Sequence, residues 1–298
     1  MSPNKTKLPS PLNNGWIQKI PSLANRFSKV KKIIGLSLAF LFGLLLALIV
    51  FQFTTIKIPI FGFHNIVDRN NPQEIFLRDP LIEEEYTKQD LAEFIEYLVQ
   101  NNYWFLSAQE LYDYFLNDNK KPIPAAHKAQ NPIMLTFDDG YKSAHKNILA
   151  ILEDIENRYQ KKIKVVWFIN PGFMGIEGSE VPHASCEELR TGLEKGYYDL
   201  QSHGQNHTNL TELAPKMIES ELSRSQRELR KCAQGLDPNN RVASHFAYPF
   251  SAVNSTVEKY VDKYYLSGYL YNSRILRPAC LRDRYHIPRL TINHKSSF

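Results

Sequence analysis

Cysteine is scarce in these 298 residues: Cys186, Cys232 and Cys280 are the whole complement. Three thiols so widely spaced exclude a zinc knuckle and the multi-bridge framework of small secreted domains. The odd count permits at most one internal disulfide, and the sequence does not decide which two would pair. Internal repeats and low-complexity tracts are lacking, and no tryptophan follows Trp167. Acidic residues are absent from the first 32 positions, which hold seven Lys and Arg. Charge of either sign is then absent from 33–53, the 21-residue run IIGLSLAFLFGLLLALIVFQF. At about 1.5 Å per residue that length spans a hydrocarbon core of ~30 Å. It exceeds the apolar core of a cleaved signal peptide, ~7–15 residues, and no A-x-A cleavage pattern follows. The segment therefore reads as an uncleaved signal anchor. The positive-inside bias puts the 1–32 tail in the cytoplasm and residues 54–298 outside it, in the periplasm or beyond.

The tail also explains the charge. The chain is formally +5, with 36 basic and 31 acidic residues. Removing the seven basic residues of the tail leaves 29 against 31, about −2 for the remainder. The basic balance is a topology signal, and no basic run elsewhere suits a phosphate backbone, so a nucleic-acid partner is not expected.

The roughly 240 residues after the anchor suffice for one sizeable core. Their pattern alternates. Helical periodicity is read at 84–101 (Leu91, Phe94, Ile95, Leu98), 107–115, 144–159, 186–195 and 215–233. Strands are read at 133–137, 164–169, 197–201, 244–248, 266–271 and 286–292. Such alternation implies parallel strands joined by helical crossovers. In an α/β barrel the chemistry gathers at the carboxyl ends of the strands.

Those ends carry the informative residues. Residues 131–141 read NPIMLTFDDGY, a strand ending in Asp138 and Asp139. Adjacent carboxylates at the end of a buried strand repel each other and are costly to desolvate. A cation or a proton transfer gives a fold reason to keep them, although Asp-Gly is by itself a strong turn dipeptide. Downstream, 201–210 reads QSHGQNHTNL, placing His203 and His207 four apart after another strand. Both imidazoles at that spacing can reach one ion at roughly 2.0–2.1 Å. Two His and one Asp leave coordination positions open, the arrangement of a catalytic metal site.

TFDDG, then H-x-x-x-H, then FAYPFS at 246–251 resemble the ordered motifs of the polysaccharide deacetylase family, the NodB-type carbohydrate esterases. Upstream, IPIFGFHNI at 58–66 is similar to the strand-plus-histidine element that opens many bacterial members. The resemblance runs from about residue 58 to about residue 293. It implies a distorted (β/α) barrel of fewer than eight strands, preceded here by one transmembrane helix. It also implies Asp139, His203 and His207 as ligands of a divalent metal. Zinc is expected, although such a donor set accepts cobalt, nickel or manganese. Asp138 would be the general base toward a metal-bound water, and the backbone N–H of Phe250 an oxyanion contact. Tyr248, Pro249, Tyr141 and His64 are read as substrate-binding, since aromatic faces suit a sugar ring. Arg289 is read as an orienter of Asp138.

The departures are as specific as the matches. Phe246 stands where many members have Arg, and the FAYP form resembles the branch acting on poly-N-acetylglucosamine-type exopolysaccharide. Ser251 stands where that branch has Gly. The late Asp-rich motif with Trp and the late Leu-x-His are not found. His286 is a weak candidate for the general acid and His294 a weaker one, so that role is unassigned. Two function classes fit. The first is a membrane-anchored N-deacetylase of an extracytoplasmic polysaccharide, with peptidoglycan, chitin oligomers or an O-acetylated glycan as alternative substrates. It could work within an envelope or polysaccharide-synthesis complex. The second is a carbohydrate-binding or scaffold protein of the envelope that retains the barrel without turnover.

Overall fold

The computed structural model describes residues 31–32, 34–46, 55–75, 85–177, 182–293 and 295–296. The chain divides into two units, Met1–Thr55 and Ile56–Phe298. In the first, residues 34–46 are helical; positions 33 and 47–53 of the expected membrane span lie outside the described residues. Among the described residues no helix is long and apolar enough to cross a membrane.

The second unit is a parallel barrel. Seven strands close it: β1 (Ile60–Phe63), β5 (Asn131–Asp139), β6 (Val165–Ile169), β7 (Tyr198–Ser202), β8 (Phe246–Ala247), β9 (Gly268–Tyr271) and β10 (Ile287–Thr291). Closure comes from β1, which pairs with β10 on one side and β5 on the other. Every ladder in the ring is parallel. β4 (Tyr103–Phe105) pairs with the start of β5, below the stretch that β1 occupies. A separate two-stranded parallel pair, β2 (Asn65–Val67) and β3 (Glu85–Thr87), lies outside the ring. The expected barrel with fewer than eight strands is therefore what forms.

Parallel strands need long crossovers, and helices supply them. α1 (Lys88–Gln100) starts where the Thr87 side chain accepts the Asp90 N–H, and it buries Leu91, Phe94, Ile95 and Leu98 as the periodicity indicates. α2 (Lys142–Tyr159) follows β5 directly and buries Ile148, Ile151, Leu152 and Ile155. α3 (Cys186–Glu194) opens with a Ser185–Glu188 capping box. α4 (Pro215–Cys232) places Pro at its first turn, where the missing N–H costs nothing. α5 (Ser255–Tyr264), capped by Asn254, was not read from the sequence. The expected helix at 107–115 is a short turn, Ala108–Leu111, continued by a wider turn through Leu116.

Strand alternation assigns the side chains. On β5, Ile133, Leu135 and Phe137 belong to the core shared with α1 and α2. Met134 belongs to the cluster inside the ring with Ile60, Val166, Phe168, Tyr269 and Ile287. Thr136 and Asp138 follow Met134 on that inner face. A disulfide joins Cys186 to Cys232, with Cα atoms 5.7 Å apart, so it ties the start of α3 to the end of α4. The 46-residue separation encloses β7 and both expected histidine ligands. Cys280 is free and exposed.

Candidate metal and hydrolytic site

Asp138 and Asp139 share one end of the barrel only because the strand stops there. Alternation would send adjacent side chains to opposite faces. Asp139 instead adopts φ +69° and Gly140 φ +91°, which turns the second carboxylate back toward the ring. A positive φ is uncommon outside glycine and persists where surroundings hold it. His207 (φ +50°), Phe250 (φ +56°) and Ser251 (φ +54°) share this conformation. All four lie at the carboxyl end of the ring.

The three expected ligands converge. Asp139 Oδ1 is 3.7 Å from His203 Nε2 and 3.5 Å from His207 Nε2, and one ligand atom from each lies within 4.8 Å of the others. These separations are too long for hydrogen bonds. They match donors spaced around one ion, since ligands about 2.1 Å from a tetrahedral centre stand roughly 3.4 Å apart. Asp139 Oδ1 is buried without a hydrogen-bond partner, a costly state for a carboxylate oxygen. His203 is turned correctly for ligation: its Nδ1 meets the Ala247 carbonyl at 2.8 Å, leaving the Nε2 lone pair to face Asp139. Burial, the largest influence, lowers the His203 pKa and favours the neutral ring a ligand needs. The residues therefore fit a divalent cation of the zinc type.

Two side chains and a glycine hold the ligand loop. Asn170, after β6, donates to the carbonyls of His203 at 2.5 Å and Gly204 at 3.1 Å. Glu221 on α4 accepts the N–H groups of Gln205 at 3.0 Å and Asn206 at 2.9 Å. Gly172 lets the preceding loop approach, since a Cβ there would sit 2.5 Å from the Gln205 carbonyl.

Asp138 is bound differently from its neighbour. Arg289 on β10 grips it with two hydrogen bonds, Nη1 to Oδ1 at 2.7 Å and Nη2 to Oδ2 at 2.8 Å. The Tyr271 hydroxyl donates to Oδ2 at 3.1 Å. Burial alone would raise this carboxyl, but the charge and hydrogen bonds of Arg289 outweigh it and hold the pKa far below the ordinary range. Arg289 is fully buried and lies over the Tyr271 ring, 4.0 Å from its centroid. Burial pushes the Tyr271 phenol well above its usual value, so it stays a donor. His64, just past β1, stacks on Tyr271 at 5.6 Å, and its Nδ1 is buried without a partner.

The family model described as Polysaccharide deacetylase matches residues 125–268. The chain carries a polysaccharide deacetylase domain. YxkH of Bacillus subtilis (strain 168), which bears a provisional polysaccharide deacetylase name, is 24% identical over 171 residues, covering 57% of this chain. That match spans 50% of the relative's own length. The structure of BC0361, a polysaccharide deacetylase from Bacillus cereus, is similar with a TM-score of 0.65 at 20% identity, over 82% of this chain and 67% of that one. Streptococcus pyogenes deacetylase PplD, in complex with acetate, is similar with a TM-score of 0.66 at 21% identity, over 82% of this chain and 96% of PplD. At these identities the structural likeness is one of fold.

Within the deacetylase domain several expected positions move. Tyr248 does not face a substrate: it is 1% exposed and packs with Phe246 and Tyr265 on the outer side of the ring. Alternation along 246–248 puts Phe246 and Tyr248 outside and Ala247 inside, and Gly268 leaves room for the Tyr248 ring. Pro249 is buried as well. The aromatic that emerges is Phe250, 67% exposed, its ring 4.6 Å from that of His207. Tyr141 lies beside His183, with ring centroids 5.0 Å apart. His286 does not reach this site. It precedes β10 at the amino end of the barrel, its Nδ1 2.8 Å from Asp283 Oδ2 and its Nε2 3.7 Å from Glu258. His294 lies outside the described residues. Tyr271 was missed in the sequence; a tyrosine at the end of a strand carries no signal that it meets a residue 133 positions away.

Proposed function

We propose that the chain is a metal-dependent N-deacetylase of an extracytoplasmic polysaccharide, with poly-N-acetylglucosamine-type exopolysaccharide as its substrate. One observation carries the reading: the unpartnered Asp139 Oδ1 faces two imidazole nitrogens, while Asp138 beside it is held ionised without being part of that set. A purely binding barrel has no use for this division of labour. A divalent cation held by Asp139, His203 and His207 would supply Lewis acidity toward water and the acetyl carbonyl. Asp138 takes the proton of the attacking water, and Arg289 keeps the carboxylate charged and oriented for it. The Phe250 N–H meets the carbonyl oxygen as charge develops there. His64 is the proton donor to the departing amine: among the described histidines it stands beside Asp138 outside the ligand set, with a nitrogen still unpaired. The exposed Phe250 ring offers a face for the sugar. The FAYP motif at 246–249 supports the choice of polymer.

The same reading places the barrel outside the cytoplasm. The cationic tail and the uncharged run at 33–53 form the anchor, and the Cys186–Cys232 disulfide suits an oxidising compartment. The test is acetate release from N-acetylglucosamine oligomers by the full-length protein in detergent, before and after chelation. Acetate that disappears with chelator and returns with zinc is expected. A folded, zinc-loaded protein that releases none from these oligomers, peptidoglycan or O-acetylated glycans would overturn the proposal.

A further inference from the structure

We propose that Tyr271 is a positioning residue for this reaction, bracing the base Asp138 against the turn that presents the Phe250 N–H. The inference rests on the deacetylase reading and deepens it. Tyr271 is the last residue of β9, and three parts of it are engaged at once. Its hydroxyl donates to Asp138 Oδ2 at 3.1 Å. Its ring lies under the Arg289 guanidinium at 4.0 Å and against His64 at 5.6 Å. Its backbone N–H donates to Ser251 Oγ at 2.8 Å. One residue thus touches the base, the partner of the base, the unpaired imidazole and the turn opposite.

The turn needs such a hold. Phe250 and Ser251 are consecutive residues with positive φ, a conformation that costs about 1–3 kcal/mol at each non-glycine position. Glycine would relieve the strain at 251 but would have no hydroxyl to accept the Tyr271 N–H. Serine keeps the strain and gains the tie to β9. Space for the ring is provided by Gly62 on β1, where a Cβ would lie 2.3 Å from Tyr271 Cε1. Proton acceptor and backbone donor are therefore set relative to each other through a single residue, its hydroxyl on one and its backbone N–H on the turn that carries the other. Reactions that depend on such placement lose rate steeply with small displacements.

The test uses the full-length, zinc-loaded protein. Tyr271→Phe keeps the ring, its stacking and the backbone N–H, and removes only the hydroxyl. Its kcat should fall roughly tenfold, the scale of one hydrogen bond to a charged group, with KM and zinc content unchanged. Ser251→Gly should lower kcat without lowering Tm, since it relieves strain while cutting the tie. Gly62→Ala should give a larger kcat loss with zinc content retained, because it displaces the ring without altering Tyr271. Exchange of the Arg289 guanidinium protons, followed by 15N NMR, should quicken in Tyr271→Phe. An unchanged kcat in Tyr271→Phe would overturn the proposal, as would a loss matched by equal losses of zinc and Tm. If the unaltered protein releases no acetate from any glycan, the functional reading falls and the exchange experiment alone decides. Unchanged Arg289 protection would then sink the brace, and lost protection would support it.

Discussion

The two ends of the barrel hold the same kinds of residue, but their buried aspartates differ in what they meet. At the amino end, Asp199 is buried and both its oxygens are engaged, by the Ala108 N–H at 2.7 Å and by Gln201 Nε2 at 2.5 Å. Gln201 in turn accepts from the N–H groups of Ser244 and His245, each at 2.9 Å, and His286 is bonded to Asp283. At the carboxyl end, Asp139 Oδ1 has no partner and two imidazoles stop 3.5–3.7 Å short of it. Carboxylates and imidazoles do not by themselves mark a site. Where their hydrogen bonds close on one another they build structure, and where the fold holds them apart and unsatisfied they are available to a ligand.

The contrast can be broken by experiment. The largest effect is expected from Asp138→Asn, a loss of turnover of at least about 10²–10⁴-fold with zinc content near normal. Loss of zinc as well would move Asp138 into the ligand set. Next, His203→Ala or His207→Ala should strip the metal, whereas His286→Ala at the other end should leave zinc content intact; metal analysis of the three variants compares the ends directly. If zinc survives in both ligand variants, the assignment is wrong. At the amino end, Asp199→Ala should cost stability and spare chemistry, by about 1–3 kcal/mol for the stranded donors, read from urea unfolding alongside kcat.

The pH dependence should carry opposite signs at the two ends of the metal-free protein. The Asp138 pKa is lowered in the fold, so its contribution is present above the ordinary carboxylate value. That stability is lost as pH falls from about 4 toward the depressed folded value. The Asp199 pKa is raised, chiefly by burial, so the folded state binds its proton more tightly. Its contribution therefore grows as pH falls through the raised value and works against folding at neutral pH. Each slope is limited to about 1.4 kcal/mol per pH unit. Unfolding of Asp138→Asn and Asp199→Asn across pH 3–7 would show whether each removes its own slope. Equal effects of the two substitutions would erase the distinction. The smallest change is expected for His286→Ala, within about 0.5 kcal/mol, since its two carboxylate contacts are half-exposed.

Much of the site was legible because its residues sit at strand ends in short segments. An apolar run stopping at Asp138 and Asp139, and a second stopping before His203, are local patterns that need no tertiary information. The barrel class followed from alternation in the same way. What escaped depends on registry between distant strands. Tyr248 looked like a sugar platform until alternation turned it outward. His286 and Arg289 are three positions apart, yet one belongs to the amino end of β10 and the other reaches Asp138. Tyr271 carried no signal at all. The cysteine pairing was undecidable until α3 and α4 were seen to end side by side.

Sequence alone thus determined most of the barrel strands and crossover helices, their parallel order, the cationic tail with its apolar run, and the residue types that could hold an ion, because each rests on periodicity or on chemistry within a few positions. Only the closed barrel decided which of those groups are left unsatisfied. Whether a carboxylate finds a partner depends on what the neighbouring strands bring to its height in the ring, and the pairing of Asp138 with Arg289, 151 residues later, is made by that closure.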